Sequence, residues 1–250
     1  MIKVENLSKF FENKRVLDKV NFSVNKGETF LIIGRSGAGK TVLLKTIIGL
    51  LKADKGRIIV DDVDITNLDK KGLDKIRLKF GVVFQGSALF DSLTIEENVG
   101  FALYQHSNLS PFQIRQKVKE TLHLVGLENI EHLYPYELSG GMRKRVAIAR
   151  AVIYKPQILI YDEPTTGIDP ISVDKIVSLI EDLHKKFFVT SLVVTHDLNI
   201  GLKLADRLAF LLGGRIIFEG NKDDLNNVND ERVIQFLKGS SAGPIKEMEV

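Results

Sequence analysis

The sequence has no cysteine, no long apolar run and no excess of charge of one sign. The absence of cysteine excludes a disulfide framework and thiolate metal ligands. The apolar runs, such as residues 30–33, 158–161 and 208–212, are far shorter than the ~20 residues of a membrane-spanning helix. Lysine and arginine number 35 against 32 acidic residues, and the two signs are interspersed. Composition alone neither requires nor excludes nucleic acid, but this balance does not indicate it, and we expect no nucleic-acid partner.

The chain has enough apolar material for one sizeable core. Its 250 residues are 44% hydrophobic, which predicts a single α/β domain near the upper end of the usual size range, with an insertion. The first residues lack the long apolar core of a secretory signal, so a cytosolic location is expected. Any contact with a membrane is then expected to go through another protein.

The hydrophobic pattern predicts an α/β fold with a parallel central sheet. Four nearly continuous apolar runs are typical of strands covered on both faces. They occupy residues 29–33, 81–84, 157–161 and 191–195. The alternating segments 2–24 and 56–63 predict an N-terminal antiparallel β subdomain. Residues 208–219 contain a Gly213-Gly214 turn between two apolar runs, which predicts a hairpin.

A helical subdomain is predicted to be inserted into this sheet at about residues 87–145. Its clearest helix covers residues 111–125, which have amphipathic spacing and follow a good N-cap, Ser110. The whole domain is expected to span residues 1–238. Residues 239–250 combine small residues, a proline and mixed charge, and they predict a flexible tail.

A phosphate-binding loop is predicted at residues 34–41, which read GRSGAGKT and match G-x-x-x-x-G-K-[ST] between a strand and a helix. Glycines let successive N–H groups point at phosphate oxygens, and the helix dipole adds positive potential there. Lys40 is expected to bridge the β- and γ-phosphates and Thr41 to ligate Mg²⁺, so ATP and Mg²⁺ are the predicted cofactors. The alternative, a chance glycine-rich turn, does not explain the full motif in this context. The nucleotide-binding candidates here are Gly34, Arg35, Ser36, Gly37, Ala38, Gly39, Lys40, Thr41 and Val42.

Two acidic residues end the apolar run at 158–161. Asp162 suits the Mg²⁺ shell, and Glu163 is placed to polarise an attacking water. Two acids at a strand end are more often simply solvated, but a phosphate-binding loop in the same chain favours the catalytic interpretation.

The segment LSGGM at residues 138–142, followed by RKRVAIARA, resembles the signature of the ABC ATPases. The resemblance runs from about residue 2 to residue 220, with the motifs in the family's order. It implies a P-loop NTPase core of the RecA-like type and ATP hydrolysis coupled to transport. It also implies that Phe11 stacks on adenine, that Gln85 links Mg²⁺ and the attacking water to a transmembrane partner, and that His196 contacts the γ-phosphate.

The signature has a physical meaning of its own. Ser139, Gly140 and Gly141 stand at the start of a predicted helix, whose N–H groups and dipole form a second anion site. In the family this site meets the ATP held by another protomer. The resemblance therefore implies a head-to-tail homodimer that forms on ATP.

Departures from the commonest pattern indicate one branch of the family. Val42, Met142 and the sequence FQGSALF at residues 84–90 resemble the ATPases of MCE-type (Mla) lipid transporters. This resemblance implies transport of phospholipids between inner and outer membranes. It also implies a permease, an MCE lipid-binding protein and a small STAS-domain partner, with the chain at the cytoplasmic face of the inner membrane.

Two alternatives stay open. One is the ATPase of another ABC importer, for example for amino acids. The other is a non-transport ABC ATPase of DNA repair or translation. Such proteins usually carry two cassettes, a coiled coil or a zinc module, which this sequence does not show.

Overall fold

Two β-sheets organise the computed structural model, which describes residues 1–12 and 14–245. The strands are β1 (Ile2–Phe11), β2 (Lys14–Val24), β3 (Thr29–Ile33), β4 (Lys55–Val60), β5 (Val63–Asp64), β6 (Phe80–Val83), β7 (Ile158–Asp162), β8 (Thr190–Thr195), β9 (Arg207–Leu212) and β10 (Arg215–Asn221). The helices are α1 (Lys40–Ile47), α2 (Lys70–Arg77), α3 (Ile95–His106), α4 (Pro111–Leu124), α5 (Gly140–Val152), α6 (Pro170–Phe187), α7 (Leu198–Leu204) and α8 (Glu231–Leu237). The smaller sheet has the order β2-β1-β4-β5 and the larger one β10-β9-β3-β8-β7-β6.

The larger sheet confirms the predicted parallel core. Strands β9, β3, β8, β7 and β6 run parallel, and β10 joins β9 as the antiparallel arm of the predicted hairpin. Successive residues of β3 enter different cores. Phe30 and Ile32 pack in the core shared with the smaller sheet, whereas Leu31 and Ile33 pack in the core that includes the helices of the insertion. A strand buried on both faces reads as a continuous apolar run, which explains its sequence.

The smaller sheet confirms the predicted antiparallel β subdomain. β1 pairs antiparallel with β2 on one side and with β4 on the other. The segment predicted at residues 56–63 contributes β4 and the start of the short strand β5, which pair with each other.

Helices α3, α4 and α5 lie between β6 and β7 in the chain, in the region of the predicted insertion. Ser110 caps α4 by accepting a hydrogen bond from Gln113 N–H at 3.3 Å. α5 continues to Val152, beyond residue 145, because Ala147, Ile148 and Ala149 are fully buried. The helix that starts at the signature therefore extends into the core of the larger sheet.

The predicted C-terminal tail is only partly within the described residues. Residues 239–245 form no helix or strand. The buried amide of Gln235, on α8, donates to the carbonyls of Ser240 and Ile245, each at 3.2 Å, and accepts from Ile245 N–H at 2.7 Å. Residues 246–250 lie outside the described part of the chain, and the flexibility of the tail stays a prediction.

Candidate active site

The site lies at the carboxyl ends of neighbouring parallel strands. The loop after β3 carries residues 34–39, the loop after β6 begins near Gln85, and β7 and β8 end at Asp162 and Thr195. The carboxyl ends of parallel strands meet at one edge of a sheet, where ligands of open α/β folds bind. Residues far apart in the chain are gathered here by strand order alone.

The phosphate-binding loop requires glycine at particular places. A Cβ on Gly34 would lie 2.3 Å from the carbonyl oxygen of Leu211, and Gly39 has a φ of 102°. No side chain caps α1 at Gly39, so the helix presents backbone N–H groups to the loop. These groups, together with the helix dipole, form a ready anion site.

Lys40 is held inside this loop. Its ammonium donates to the carbonyl of Gly34 at 2.8 Å and to that of Arg35 at 3.0 Å. Its Nζ lies 3.5 Å from Oε1 of Glu163. Burial lowers the pKa of Lys40, and the charge of Glu163 opposes that shift. Three protein oxygens thus surround the cation that the motif assigns to the phosphates.

Glu163 lies at the centre of the cluster and is only 6% exposed. Its Oε2 accepts from the hydroxyl of Thr195 at 3.1 Å and lies 2.9 Å from Nδ1 of His196. Burial favours the protonated acid, but the hydrogen bond and charge of His196, with those of Lys40 and Thr195, outweigh it and lower the pKa of Glu163. The group is therefore a carboxylate at neutral pH, as a base must be.

Asp162 lies beside Thr41 at the end of β7. The hydroxyl of Thr41 donates to Oδ1 of Asp162 at 3.3 Å. Burial raises the pKa of Asp162, although the hydrogen bond from Thr41 opposes the shift. A hydroxyl, a carboxylate and the nearby amide of Gln85 are hard oxygen ligands of the kind that suits Mg²⁺, which normally completes its shell with phosphates and water. The residues present therefore fit the ion.

A cavity of about 420 Å³ joins most of these groups. It is lined by Val16, Ser36, Gly37, Gly39, Lys40, Thr41, Val42, Gln85, Glu163 and His196. Phe11 is not among the lining residues: it is half exposed at the end of β1, with Lys9 Nζ 5.3 Å from the centre of its ring. Arg35 lines a neighbouring cavity that also contacts His196. The roles of Phe11 and Arg35 stay predictions.

The signature residues lie outside the cavity as well. Ser139 is the N-cap of α5, and its hydroxyl accepts from Met142 N–H at 3.3 Å. Gly140 and Gly141 form the first turn of the same helix. The P-loop and the start of α5 are therefore two separate helix N-termini, and anion binding at the second stays a prediction.

Sequence reasoning missed three residues that the fold brings to the site. Val16 lines the cavity from β2, Thr195 binds the carboxylate of Glu163, and Lys144 reaches the carbonyls of Gln85 and Glu163. Valine and threonine in strands carry no motif. Lys144 stands in the run RKRVAIARA, where only its burial, at 4% exposure, distinguishes it from its basic neighbours.

Fold and site together define a P-loop ATPase with a separate signature helix. The family model for the ABC transporter domain matches residues 17–166. The chain belongs to the ABC transporter family, as one of its ATP-binding, ATP-hydrolysing subunits. No helix within the described residues is long and apolar enough to cross a membrane.

Relatives with different described roles match the chain. The intermembrane phospholipid transport ATP-binding protein MlaF of Haemophilus influenzae is 41% identical, over 98% of this chain and 93% of its own. The probable ribonucleotide transport ATP-binding protein Mkl of Mycobacterium tuberculosis is 40% identical, over 98% of this chain and 68% of its own. The methionine import ATP-binding protein MetN of Carboxydothermus hydrogenoformans is 40% identical, over 90% of this chain and 67% of its own.

A solved structure confirms the fold. The dimeric form of MJ0796, a bacterial ABC transporter cassette, superposes with a TM-score of 0.83 at 34% identity. The match covers 88% of this chain and 98% of that one. A second structure of the same cassette, also dimeric, represents a post-hydrolysis state bound to ADP and phosphate.

Proposed function

We propose that this chain is the ATPase of a transporter that moves phospholipids between inner and outer membranes. The observation that carries the proposal is the match to MlaF, which spans nearly the whole of both chains. Mkl and MetN are equally similar in the shared region, but about a third of each lies outside the match. Val42, which lines the nucleotide cavity, Met142, which ends the signature, and the segment at residues 84–90 carry the resemblance to this branch.

Hydrolysis would use the residues of the cavity in distinct roles. The N–H groups of the loop and the ammonium of Lys40 bind the phosphates. Glu163 orients the attacking water and accepts its proton on the carboxylate, while His196 contacts the γ-phosphate. Thr41, Asp162 and Gln85 would hold Mg²⁺, which when bound neutralises phosphate charge. The arrangement suits phosphoryl transfer, where catalysis is mostly positioning and charge stabilisation.

The second anion site calls for a second copy of the chain. Ser139, Gly140 and Gly141 do not line the nucleotide cavity of their own chain, so the nucleotide that they bind would come from another protomer. A head-to-tail homodimer with two-fold symmetry satisfies this twice, with each ATP between one P-loop and the partner's signature. The dimeric MJ0796 structures support this assembly.

A permease would dock beside the loop that follows β6. Phe90 and Phe101 are exposed large apolar side chains, with ring centres 5.0 Å apart. They line a groove of about 650 Å³ that reaches the C-terminal part of α5. A helix of a membrane-embedded partner could place apolar side chains there. The chain would then sit at the cytoplasmic face of the inner membrane, with an MCE protein and a STAS-domain protein completing the complex.

Purification of the complex tests the proposal. The tagged full-length chain, expressed with its chromosomal neighbours, should copurify in detergent with a permease and an MCE protein. Vesicles of phosphatidylethanolamine and phosphatidylglycerol should stimulate the ATPase of the reconstituted complex, and methionine should not. Stimulation by methionine alone would favour the amino-acid importer. Isolation without any membrane protein would favour a non-transport ATPase, and either result would overturn the proposal.

A further inference from the structure

Lys144 is a buried cation on α5 that touches two parts of the catalytic site. Its side chain is 4% exposed. Its ammonium donates to the backbone carbonyl of Gln85 at 2.5 Å and to that of Glu163 at 3.3 Å. Among the described residues it forms no salt bridge with a carboxylate. The ammonium is hydrogen-bonded to the carbonyls of two separate segments of the site, the loop after β6 and the end of β7.

Burying an ammonium is costly, and the charges of Asp162 and Glu163 offset that cost only in part because neither carboxylate forms a salt bridge with Lys144. An apolar side chain on this face of α5 would fill the space without that cost, as Ala147 and Ile148 do one turn further on. Stability alone therefore does not explain a lysine at this position. What distinguishes Lys144 is that its two acceptors belong to segments with different tasks in the same site.

One of the two acceptors is the carbonyl of Glu163, whose backbone is strained. Its φ of 50° is left-handed, a conformation that costs free energy for a residue with a side chain. The Glu163 N–H donates to Val194 at 2.8 Å, and its carbonyl accepts from Thr166 N–H and from Lys144, each at 3.3 Å. Lys144 thus helps to hold the backbone that aims the carboxylate at Thr195.

The other acceptor is the carbonyl of Gln85, in the loop after β6. Gln85 lines the nucleotide cavity, and the next residues bear a second contact from the same helix. Arg150 donates to the carbonyls of Ser87 at 2.8 Å and Ala88 at 2.7 Å, and both residues have positive φ. The same helix therefore holds the first part of this loop at two places, Gln85 and the pair Ser87 and Ala88.

We propose that Lys144 is a positioning residue that fixes the backbone of Gln85 against that of Glu163, so that the general base and the loop after β6 keep one geometry during hydrolysis. Lys144 is not among the residues that line the nucleotide cavity, and it acts through the two carbonyls, a role that rests on the function proposed above for Glu163. Because α5 begins at the signature, Lys144 also ties this geometry to the helix that meets the second nucleotide.

The test compares Lys144→Met with Arg145→Met in the full-length chain. Methionine keeps helix propensity and bulk but removes the donor. Arg145 is a matched control, because it also donates to one backbone carbonyl, that of Gly126 at 2.7 Å, but outside the site. Lys144→Met should lower kcat by about tenfold to a hundredfold, as expected for a misplaced base. KM for ATP and the affinity for ATP should change much less.

The second test restores a hydrogen-bond donor at position 144 and measures kcat again. Lys144→Arg should recover a substantial part of the lost kcat, and Arg145→Met should keep the wild-type rate. Wild-type kcat in Lys144→Met, or an equal loss in Arg145→Met, would overturn the proposal. So would a loss of kcat matched by a rise in KM and a fall in melting temperature. Should Lys144→Met fail to fold, Lys144→Leu, which also lacks a donor, decides, with reduced kcat at unchanged KM expected and unchanged kcat contradicting the role.

Discussion

Replacing Glu163 by glutamine removes one charge from the centre of the site and keeps the shape of the side chain. The carboxylate meets His196 and Thr195 through Oε2 and faces Lys40 through Oε1. An amide offers only one acceptor oxygen. If that oxygen keeps the contacts of Oε2, the amide nitrogen faces the ammonium of Lys40 and the ion pair is lost.

The loss of the general base determines how far the rate of ATP hydrolysis should fall. A positioned general base contributes ~10²–10⁴ to the rate, which corresponds to about 2.7–5.4 kcal/mol of barrier at 1.36 kcal/mol per factor of ten. Binding of ATP depends on the loop and on Lys40, which the variant keeps. Because Lys40 no longer faces a carboxylate, its ammonium is freer to meet phosphate. Affinity for ATP should therefore not fall, and the ATP-bound dimer should accumulate.

Three measurements on the purified full-length chain separate these effects. They are steady-state phosphate release, binding of a fluorescent ATP analogue, and size-exclusion chromatography with and without ATP. Glu120→Gln is the control, since Glu120 is an exposed residue of α4 and the change in charge is identical. A Glu163→Gln rate above about a tenth of wild type would refute the assignment of Glu163 as the main base. Loss of ATP binding together with activity would place the residue in binding instead.

Three further predictions concern other parts of the chain. Gly34→Ala should abolish ATP binding, because the new Cβ would lie 2.3 Å from the Leu211 carbonyl, whereas Gly86→Ala, which meets nothing within 4 Å, should bind normally in the same assay. Phe90→Asp should give a folded, ATP-binding protein that no longer copurifies with its permease; undiminished copurification would contradict the docking groove. The hydrogen bond from Arg232 lowers the pKa of Asp230 from 3.8 to about 2. The ionised group therefore stabilises the fold fully above pH 3.8, and this stabilisation is lost as the pH falls towards 2. Asp230→Asn should accordingly unfold at lower denaturant than wild type at neutral pH, with the gap closing in acid; a gap independent of pH would show that the carboxylate is not responsible.

The fold could be predicted from sequence where a local pattern has one physical cause. The strands of the larger sheet are apolar throughout because both of their faces are covered, as the two cores meeting at β3 show. Ser110 could be identified as an N-cap because capping depends on residues three apart. The end of α5 could not be placed in the same way. Its last turns are held by burial against the larger sheet, which is a tertiary contact.

The same distinction between local patterns and tertiary contacts applies to the residues of the site. The loop at residues 34–41 and the pair Asp162 and Glu163 have motifs, because their chemistry needs those residue types next to one another. Val16 and Lys144 belong to no motif, because the residues they lie beside in the site are distant in sequence. Lys144 meets the carbonyls of Gln85 and Glu163, and a carbonyl has no sequence signal. Backbone partners of this kind become visible only when strand order has been established.

The contacts of Lys40 also suggest a link between ATP binding and the basicity of Glu163. Lys40 is surrounded by the carbonyls of Gly34 and Arg35 and by the carboxylate of Glu163. These oxygens occupy the places around the ammonium that phosphate oxygens would take. A phosphate oxygen that reached Lys40 would compete with the carboxylate of Glu163 for the ammonium. Because the charge of Lys40 lowers the pKa of Glu163, weakening that ion pair would raise the pKa and leave the carboxylate a stronger acceptor for the proton of the attacking water.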